Sequence, residues 1–97
     1  MYEDFSKIIW VDEYSSTPKY LQLSDSVITA IEDGKLKKDD ILPSINELSC
    51  LLEISRDTAE KGYKHLKSKG IIKSVPGKGY YIGQTEFKKK LKIFLLF

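Results

Sequence analysis

The residues of this chain best equipped for chemistry form one short run, Ser55-Arg56-Asp57-Thr58, with Glu60 following closely. The Arg56 guanidinium can donate two hydrogen bonds to the O6 and N7 atoms of guanine, and Asp57 or Glu60 can accept one from the amino group of cytosine. Hydroxyl groups such as those of Ser55 and Thr58, together with the amides of a helix start, suit phosphate oxygens. The run therefore indicates contact with a nucleic acid.

Each of these residues also has a simpler interpretation. Ser55 would cap a helix in any protein, because its side-chain oxygen accepts from an exposed backbone amide. Arg56 could be solvated or paired with an acidic side chain. Lys61, which lies away from the buried face of the predicted helix, is expected at the nucleic-acid-binding surface with the run. Nucleic-acid contact is favoured because the run opens a predicted helix, and that end enters the major groove in a helix-turn-helix protein.

The other reactive residue types do not form a site. His65 has no second histidine and no cysteine or acid at ligand spacing, which disfavours a metal site. Cys50 has neither a basic neighbour nor a histidine partner, so a packing role is favoured over a nucleophile. We expect no catalytic, metal-binding or cofactor-binding residues in this chain.

Predicted helices position the reactive run. Apolar residues recur every three or four positions from about Lys19 to Asp33, which indicates one face of a first helix. Thr17-Pro18 supplies its start and Gly34 its stop. A second, short helix is predicted to begin at Ser44, because Ser44 and Glu47 have the spacing of a capping box.

A third helix and a hairpin complete the predicted domain. The third helix begins at the Ser55 cap and ends near Gly70, a residue suited to a helix C-terminus. Ile71–Val75 and Tyr80–Ile82 are rich in β-branched and aromatic residues, and Pro76–Gly79 connects them, which predicts a hairpin. The order of helices and hairpin predicts an α+β, mainly α, winged helix-turn-helix fold with three helices and a two-stranded wing.

The tip of the predicted wing has the sequence Gly77-Lys78-Gly79. Glycines allow the backbone to approach a partner closely, and Lys78 places a positive charge at the tip. An ordinary hairpin turn would have the same composition. Contact with phosphates or a minor groove is favoured because the wing directly follows the basic third helix.

The formal net charge of +2 conceals an uneven distribution. Residues 1–53 carry 5 Lys or Arg against 11 Asp or Glu, whereas residues 54–90 carry 10 against 3. A polyanionic partner for the second half is favoured, although a solvated charged surface has a similar composition. The chain start does not resemble a secretory signal, and no apolar run is long enough to span a bilayer, so we expect a cytoplasmic protein without membrane contact.

The two ends are expected to lie outside the DNA-binding domain at residues 18–83. Residues 1–17 are predicted to form an N-terminal extended arm, with a peripheral edge strand at Ile8 to Val11. Polar residues 84–90 are predicted to be a linker. Apolar residues 91–97 are predicted to begin a truncated effector domain, because complete proteins seldom end on an unprotected apolar strand.

The motifs above resemble those of the GntR superfamily of bacterial transcription regulators. In order and spacing they are Leu42-Pro43-Ser44-x-x-Glu47-Leu48, Ile54-Ser55-Arg56-x-Thr58, Leu66-x-x-x-Gly70-Ile71-Ile72 and Gly77-Lys78-Gly79-Tyr80-Tyr81-Ile82. The resemblance implies sequence-specific binding of double-stranded DNA by a homodimer at an inverted-repeat operator, controlled by a small effector in a C-terminal domain. It implies base contacts from Arg56, Asp57 and Glu60, and backbone or groove-edge contacts from Ser44, Ser55, Thr58 and Lys78.

Three residues depart from the usual family pattern. Asn46, still expected at the DNA-binding surface, stands where the second helix usually carries arginine. Asp57 and Glu60 stand where threonine and arginine are common. Either the two acids read cytosine amino groups, or they hold Arg56 and Lys61 in position.

Two other function classes stay open at the level of sequence. A winged helix could bind an acidic protein without specific DNA binding, and weak salt dependence on duplex DNA would favour that class. One branch of the superfamily fuses this domain to an aminotransferase-like enzyme, but no lysine here has a pyridoxal-phosphate context. The apolar run at 93–97 looks more like the first strand of a sugar-sensing domain in LacI-type regulators, so we expect a small-molecule effector such as a sugar and no enzyme.

Overall fold

The computed structural model of the chain describes Phe5 and residues 8–83. The elements are α1 (Lys19–Glu32), α2 (Ile45–Leu52), α3 (Arg56–Ser68), β1 (Ile72–Val75) and β2 (Gly79–Ile82). The predicted winged helix-turn-helix is confirmed. The predicted linker at 84–90 and apolar strand at 91–97 lie outside the described residues. Within the described residues, every helix is too short or too polar to cross a membrane.

Side-chain caps begin two of the helices where the sequence predicts them. At α2 the Ser44 hydroxyl accepts from the Glu47 amide at 3.1 Å, and the Glu47 carboxylate accepts from the Ser44 amide at 2.9 Å. At α3 the Ser55 hydroxyl accepts from the Thr58 amide at 3.1 Å. These bonds satisfy amides that have no partner inside the helix.

The end of α3 turns the chain directly into the wing. The Ile71 amide donates to the Leu66 carbonyl at 3.0 Å, and the Gly70 amide donates to the Lys67 carbonyl at 2.9 Å. This pair of bonds is the Schellman motif, which needs a left-handed residue, and Gly70 supplies it with φ 76°. Because the motif reverses the chain tightly, β1 starts two residues after this glycine.

The turn between α2 and α3 contains an unusual backbone conformation. Glu53 lies in the left-handed region, with φ 55°, at a cost of roughly 1–2 kcal/mol for a residue with a side chain. The next residue, Ile54, donates its amide to the Ser49 carbonyl at 3.0 Å, and its side chain packs against the core. This turn sets the direction in which α3 leaves α2.

The α1 and α3 helices approach each other closely at Gly62. A Cβ at this position would overlap the Leu23 side chain and lie 3.3 Å from the Tyr20 carbonyl oxygen. Leu23 is fully buried and cannot move away without displacing its neighbours. The absence of a side chain at Gly62 therefore sets how closely α3 packs on α1.

The wing has a third extended segment that the sequence analysis missed. The Ile82 amide donates to the Asp40 carbonyl at 2.9 Å, and the Leu42 amide donates to the Tyr80 carbonyl at 2.8 Å. Ile41 forms an antiparallel bridge with Tyr81, so β2 is bonded on both sides. The sequence predicts no strand here, because the partners of this segment lie some forty residues later and leave no local pattern.

The N-terminal segment corrects the prediction of a peripheral arm with an edge strand at Ile8 to Val11. Ile9 is fully buried and Phe5 nearly so, and both belong to the core; the Ile8 and Ile9 amides donate to the Phe5 carbonyl, and residues 8–11 form no strand. The Gln22 side chain of α1 accepts from the Asp12 amide at 2.6 Å and donates to the Thr17 carbonyl at 2.7 Å. Apolar burial and these bonds hold the segment on α1.

Tyr63 connects α3 to the rest of the helix-turn-helix and to the wing. Its side chain is buried, and its hydroxyl donates to the Pro43 carbonyl at 2.7 Å, one residue before the Ser44 cap. The Tyr63 ring also packs on the Tyr80 ring of β2, with 4.7 Å between ring centroids. One side chain thus fixes α3 relative to both the start of α2 and the sheet.

We predict that Tyr63→Phe lowers the free energy of unfolding by about 1–2 kcal/mol, because the Pro43 carbonyl loses its hydroxyl partner in a buried place. Urea unfolding followed by circular dichroism measures the change. Tyr81→Phe is the matched control, since the half-buried Tyr81 hydroxyl has no hydrogen bond within residues 8–83. Equal losses in the two variants would show that the Tyr63 bond is not stabilising.

We predict that Gly62→Ala destabilises the fold although alanine is the better helix former. Overpacking typically costs about 1–3 kcal/mol, while the gain in helix propensity is about 1 kcal/mol. A net loss of about 1 kcal/mol is expected in the same unfolding measurement. Lys64→Ala, at an exposed position of α3, should change stability by less than about 0.5 kcal/mol. A rise in stability for Gly62→Ala would contradict the close approach.

Candidate nucleic-acid interface

The start of α3 presents the predicted reactive run to solvent. Ser55, Arg56 and Asp57 are exposed, and Thr58 is half-buried. The Ser55 and Thr58 hydroxyl oxygens lie 2.8 Å apart, so one donates to the other. The second hydroxyl keeps its hydrogen for an external acceptor such as a phosphate oxygen. The capping interpretation of Ser55 is confirmed, and it leaves a donor available.

A stripe of charged side chains, called here the outer stripe, follows the run along α3. Its members are exposed and recur at spacings of four, four and three, which places them along one side of a helix; they are Arg56, Glu60, Lys64 and Lys67. Three are cations and one is an anion. Lys67 was not singled out by the sequence analysis, although its spacing from Lys64 could have revealed it.

Arg56 is available for an external partner. Within residues 8–83, no carboxylate lies within 4.0 Å of its guanidinium, and the ion pair found there joins Lys73 to Asp39 instead. The salt-bridged interpretation of Arg56 is therefore wrong for this part of the chain. Asp57 and Glu60 do not hold Arg56 in place through ion pairs in this structure.

The structure places Lys61 on a different side of α3 from the outer stripe. Its ammonium lies 5.3 Å from the centre of the Tyr20 ring of α1, a cation–π arrangement. The His65 and Tyr20 rings also form a T-shaped contact, with 6.1 Å between centroids. Lys61 and His65 thus belong to the contact between α1 and α3, which no sequence spacing indicates.

The two predicted site residues of α2 lie at its first turn. Ser44 is exposed, and its oxygen is engaged by the Glu47 amide, but its hydroxyl hydrogen can still bond to a partner. Asn46 is exposed beside it, two residues inside the cap. Its side-chain amide can both donate and accept. The structure thus presents Ser44 and Asn46 together at one helix end.

The wing tip is a tight turn that exposes Lys78. The Lys78 amide donates to the Val75 carbonyl at 2.9 Å, and Gly77 has φ 77°, as position three of a type II turn requires after Pro76. The connector is one residue shorter than predicted, because Gly79 already pairs with Val75. A Cβ at Gly77 would meet nothing, so its φ angle, not lack of space, demands glycine.

An ion pair that the sequence did not reveal clamps the base of the wing. The Lys73 ammonium of β1 lies 2.9 Å from an Asp39 carboxylate oxygen. The hydrogen bond from Lys73, its charge and, less strongly, the charge of Lys38 lower the pKa of Asp39 despite a small opposing effect of desolvation. Lys73 is thereby committed to the sheet, unlike Lys78.

Among the residues the structure describes, no group of three His, Cys, Asp or Glu side chains could hold a metal ion.

Taken together, the capped and exposed α3, the preceding short helix and the basic wing define a winged helix-turn-helix domain of the DNA-binding type. Residues 19–82 match the family of bacterial regulatory proteins known as the gntR family. The match covers most of the chain, so the chain belongs to the GntR family.

Known proteins agree with this assignment. The chain is 36% identical over 78 residues to the HTH-type transcriptional repressor YtrA of Bacillus subtilis (strain 168), covering 80% of this chain and 60% of that protein. The GntR-family transcription factor YtrA from Sulfolobus acidocaldarius has the same fold, with a TM-score of 0.75, 35% identity and coverage of 92% and 94% of the two chains.

A further solved structure is a DNA complex. The AraR DNA-binding domain bound to operator ORX1 is similar with a TM-score of 0.65 and 33% identity, covering 74% of this chain and 86% of that one. These relatives are transcription regulators or their domains. The chain spans 60% of the length of the B. subtilis repressor.

We predict that Lys73→Ala raises the pKa of Asp39 towards its ordinary value of 3.8, because both the hydrogen bond and the neighbouring charge disappear. Since the folded pKa lies below the unfolded one, the pair stabilises the fold above about pH 3.8 and its effect is lost as the pH falls through the folded pKa. An NMR titration of the Asp39 carboxyl measures this. Lys38→Ala should give a smaller rise, and an unchanged pKa in Lys73→Ala would contradict the clamp.

Proposed function

We propose that this domain binds double-stranded DNA in a sequence-specific manner, as the operator-reading part of a bacterial transcription regulator. The observation that carries the proposal is Arg56, which stands exposed at the capped start of α3 without an ion-pair partner in residues 8–83. A guanidinium held there by a rigid backbone can donate to both the O6 and N7 of guanine.

The geometry of α3 supports entry into the major groove. An α-helix with its side chains is about 10–12 Å wide, and the major groove of B-DNA is about 12 Å wide. The free amides and positive dipole end at the start of α3 favour the phosphate at the groove edge. The cations of the outer stripe add attraction along the same helix.

Each site residue has a proposed role. Residues proposed to meet base edges are Arg56, Asp57 and Glu60. Those proposed to meet phosphates or the groove edge are Ser44, Asn46, Ser55, Thr58, Lys61, Gly77 and Lys78, joined by Lys64 and Lys67 of the outer stripe. The free hydroxyl hydrogens support this role for the serines and Thr58, and the ammonium groups of Lys64, Lys67 and Lys78 form no ion pair within residues 8–83. Lys61 contributes charge from its place over Tyr20.

The test uses a duplex selected from random sequence by the full chain. We expect Arg56→Ala to weaken binding to this duplex by about 1–3 kcal/mol and to relax the choice of base at one position. Lys78→Ala should weaken binding to all sequences and reduce the slope of log affinity against log salt by about one. Fluorescence anisotropy at several salt concentrations measures both.

Lys35→Ala is the control, because this exposed lysine follows α1 and lies outside the helix-turn-helix and the wing. It should leave the sequence preference and the Arg56-dependent affinity unchanged. Unchanged binding in both Arg56→Ala and Lys78→Ala would refute the proposed interface. Weak affinity without salt dependence in the wild-type chain would instead favour a protein-binding module.

For the whole protein the proposal extends to a cytoplasmic, non-enzymatic homodimer that binds an inverted-repeat operator. A small effector, for example a sugar, would bind outside residues 18–83 and change the affinity for DNA. The proposal is supported by membership of a family of bacterial regulatory proteins. Selected sequences with two-fold symmetry, and two chains per duplex in sedimentation, are expected. One chain on an asymmetric site would contradict the dimer.

A further inference from the structure

Glu60 is an anion on the helix face that the proposed function turns towards a polyanion. It is exposed, lies four residues from Arg56 on one side and from Lys64 on the other, and has no ion-pair partner within residues 8–83. The helix dipole does not account for it, because it lies beyond the first turn, whereas Asp57 lies within that turn. Its presence calls for another favourable interaction.

The major groove offers a carboxylate only a few partners. An ionised carboxylate only accepts hydrogen bonds, so it repels phosphates and the acceptor atoms of guanine. The donors on base edges are the amino groups of adenine and cytosine. The adenine N6 is flanked by two acceptors, its own N7 and the thymine O4, while the cytosine N4 is flanked by guanine O6 on one side only. A carboxylate therefore favours cytosine.

We propose that Glu60 is a specificity-determining residue that accepts a hydrogen bond from the N4 amino group of a cytosine in the operator. The proposal rests on the proposed DNA-binding function and assigns a base to one residue of that site. Four residues of helix rise by about 6 Å, and base pairs are spaced by about 3.4 Å. Because only part of this rise is directed along the DNA axis, the cytosine contacted by Glu60 should lie no more than about two base pairs from the guanine contacted by Arg56.

A competing role for Glu60 is to position Arg56 or Lys64 once DNA is bound. The two roles change different bases. Loss of a positioning residue would weaken the preference for guanine at the position contacted by Arg56. Loss of a cytosine contact would change the preferred base at another position. Glu60→Gln separates them, because glutamine pairs with the N6 and N7 atoms of adenine.

The experiment selects duplexes from a random-sequence library with the full wild-type chain and with the variants Glu60→Gln, Glu60→Ala and Glu32→Gln. We expect the wild type to enrich a C·G pair that Glu60→Gln changes to A·T. Replacing this C·G pair by A·T in the selected duplex should weaken wild-type binding about tenfold. Glu60→Gln should show the opposite preference and bind the A·T duplex more tightly. Glu60→Ala should accept any base there and bind unrelated duplexes more tightly, because the repulsion from phosphates is gone.

Glu32→Gln makes the same change of charge at an exposed position of α1 and should select the wild-type sequence. Both residue types favour helices, and circular dichroism will show whether the fold is retained. The proposal would be overturned if wild type and Glu60→Gln selected the same sequence. It would also be overturned if the only change were at the guanine contacted by Arg56. Enrichment of no sequence by the wild type would overturn the DNA-binding function itself, which is a distinguishable result.

Discussion

The hydrogen bond from the Tyr63 hydroxyl to the Pro43 carbonyl joins the parts of this domain that must keep a fixed relation. Pro43 leads directly into the capped start of α2, and the same tyrosine ring packs on Tyr80 of the wing. Because the hydroxyl is buried with its acceptor, separating α3 from α2 would leave polar groups without partners. The orientation of α3 is therefore determined from inside the domain, and its opposite side remains exposed for a ligand.

Apart from Lys61, the residues of α3 that pack on α1 differ from those proposed to contact DNA. The side that faces α1 is close-packed at Gly62 and carries Lys61 over an aromatic ring, so it gives little freedom to the helix. The outer stripe makes no ion pairs within residues 8–83, and its groups can meet a partner without first breaking bonds. The packed backbone of α3 is preorganised, which lowers the entropy lost on binding, whereas the free side chains of the outer stripe must still be ordered. The left-handed conformation of Glu53 also depends on this packing, because the helices on either side hold the strained turn in place.

Charge in this domain is arranged for discrimination as well as attraction. Lys73 is neutralised by Asp39 at the base of the wing, while Lys78 is left uncommitted at the tip. An anion at Glu60 lowers attraction to any duplex, so a hydrogen bond available from only some base pairs has a larger relative effect. Specificity is a difference between affinities, and a repulsive group increases it when the correct base alone offsets the repulsion.

The sequence by itself determined the features that depend on neighbours in the chain. The Ser44 cap, the Gly70 stop, the hairpin and the exposed Arg56 follow from residues within one or two turns, and the family motifs consist of the same local signals. Tertiary structure alone decided that Ile9 is buried, that residues 40–42 extend the sheet and that Lys61 rests on Tyr20. These contacts join residues far apart in sequence, where hydrophobic periodicity and capping rules have no reach. Their formation depends on which surfaces meet once the helices pack.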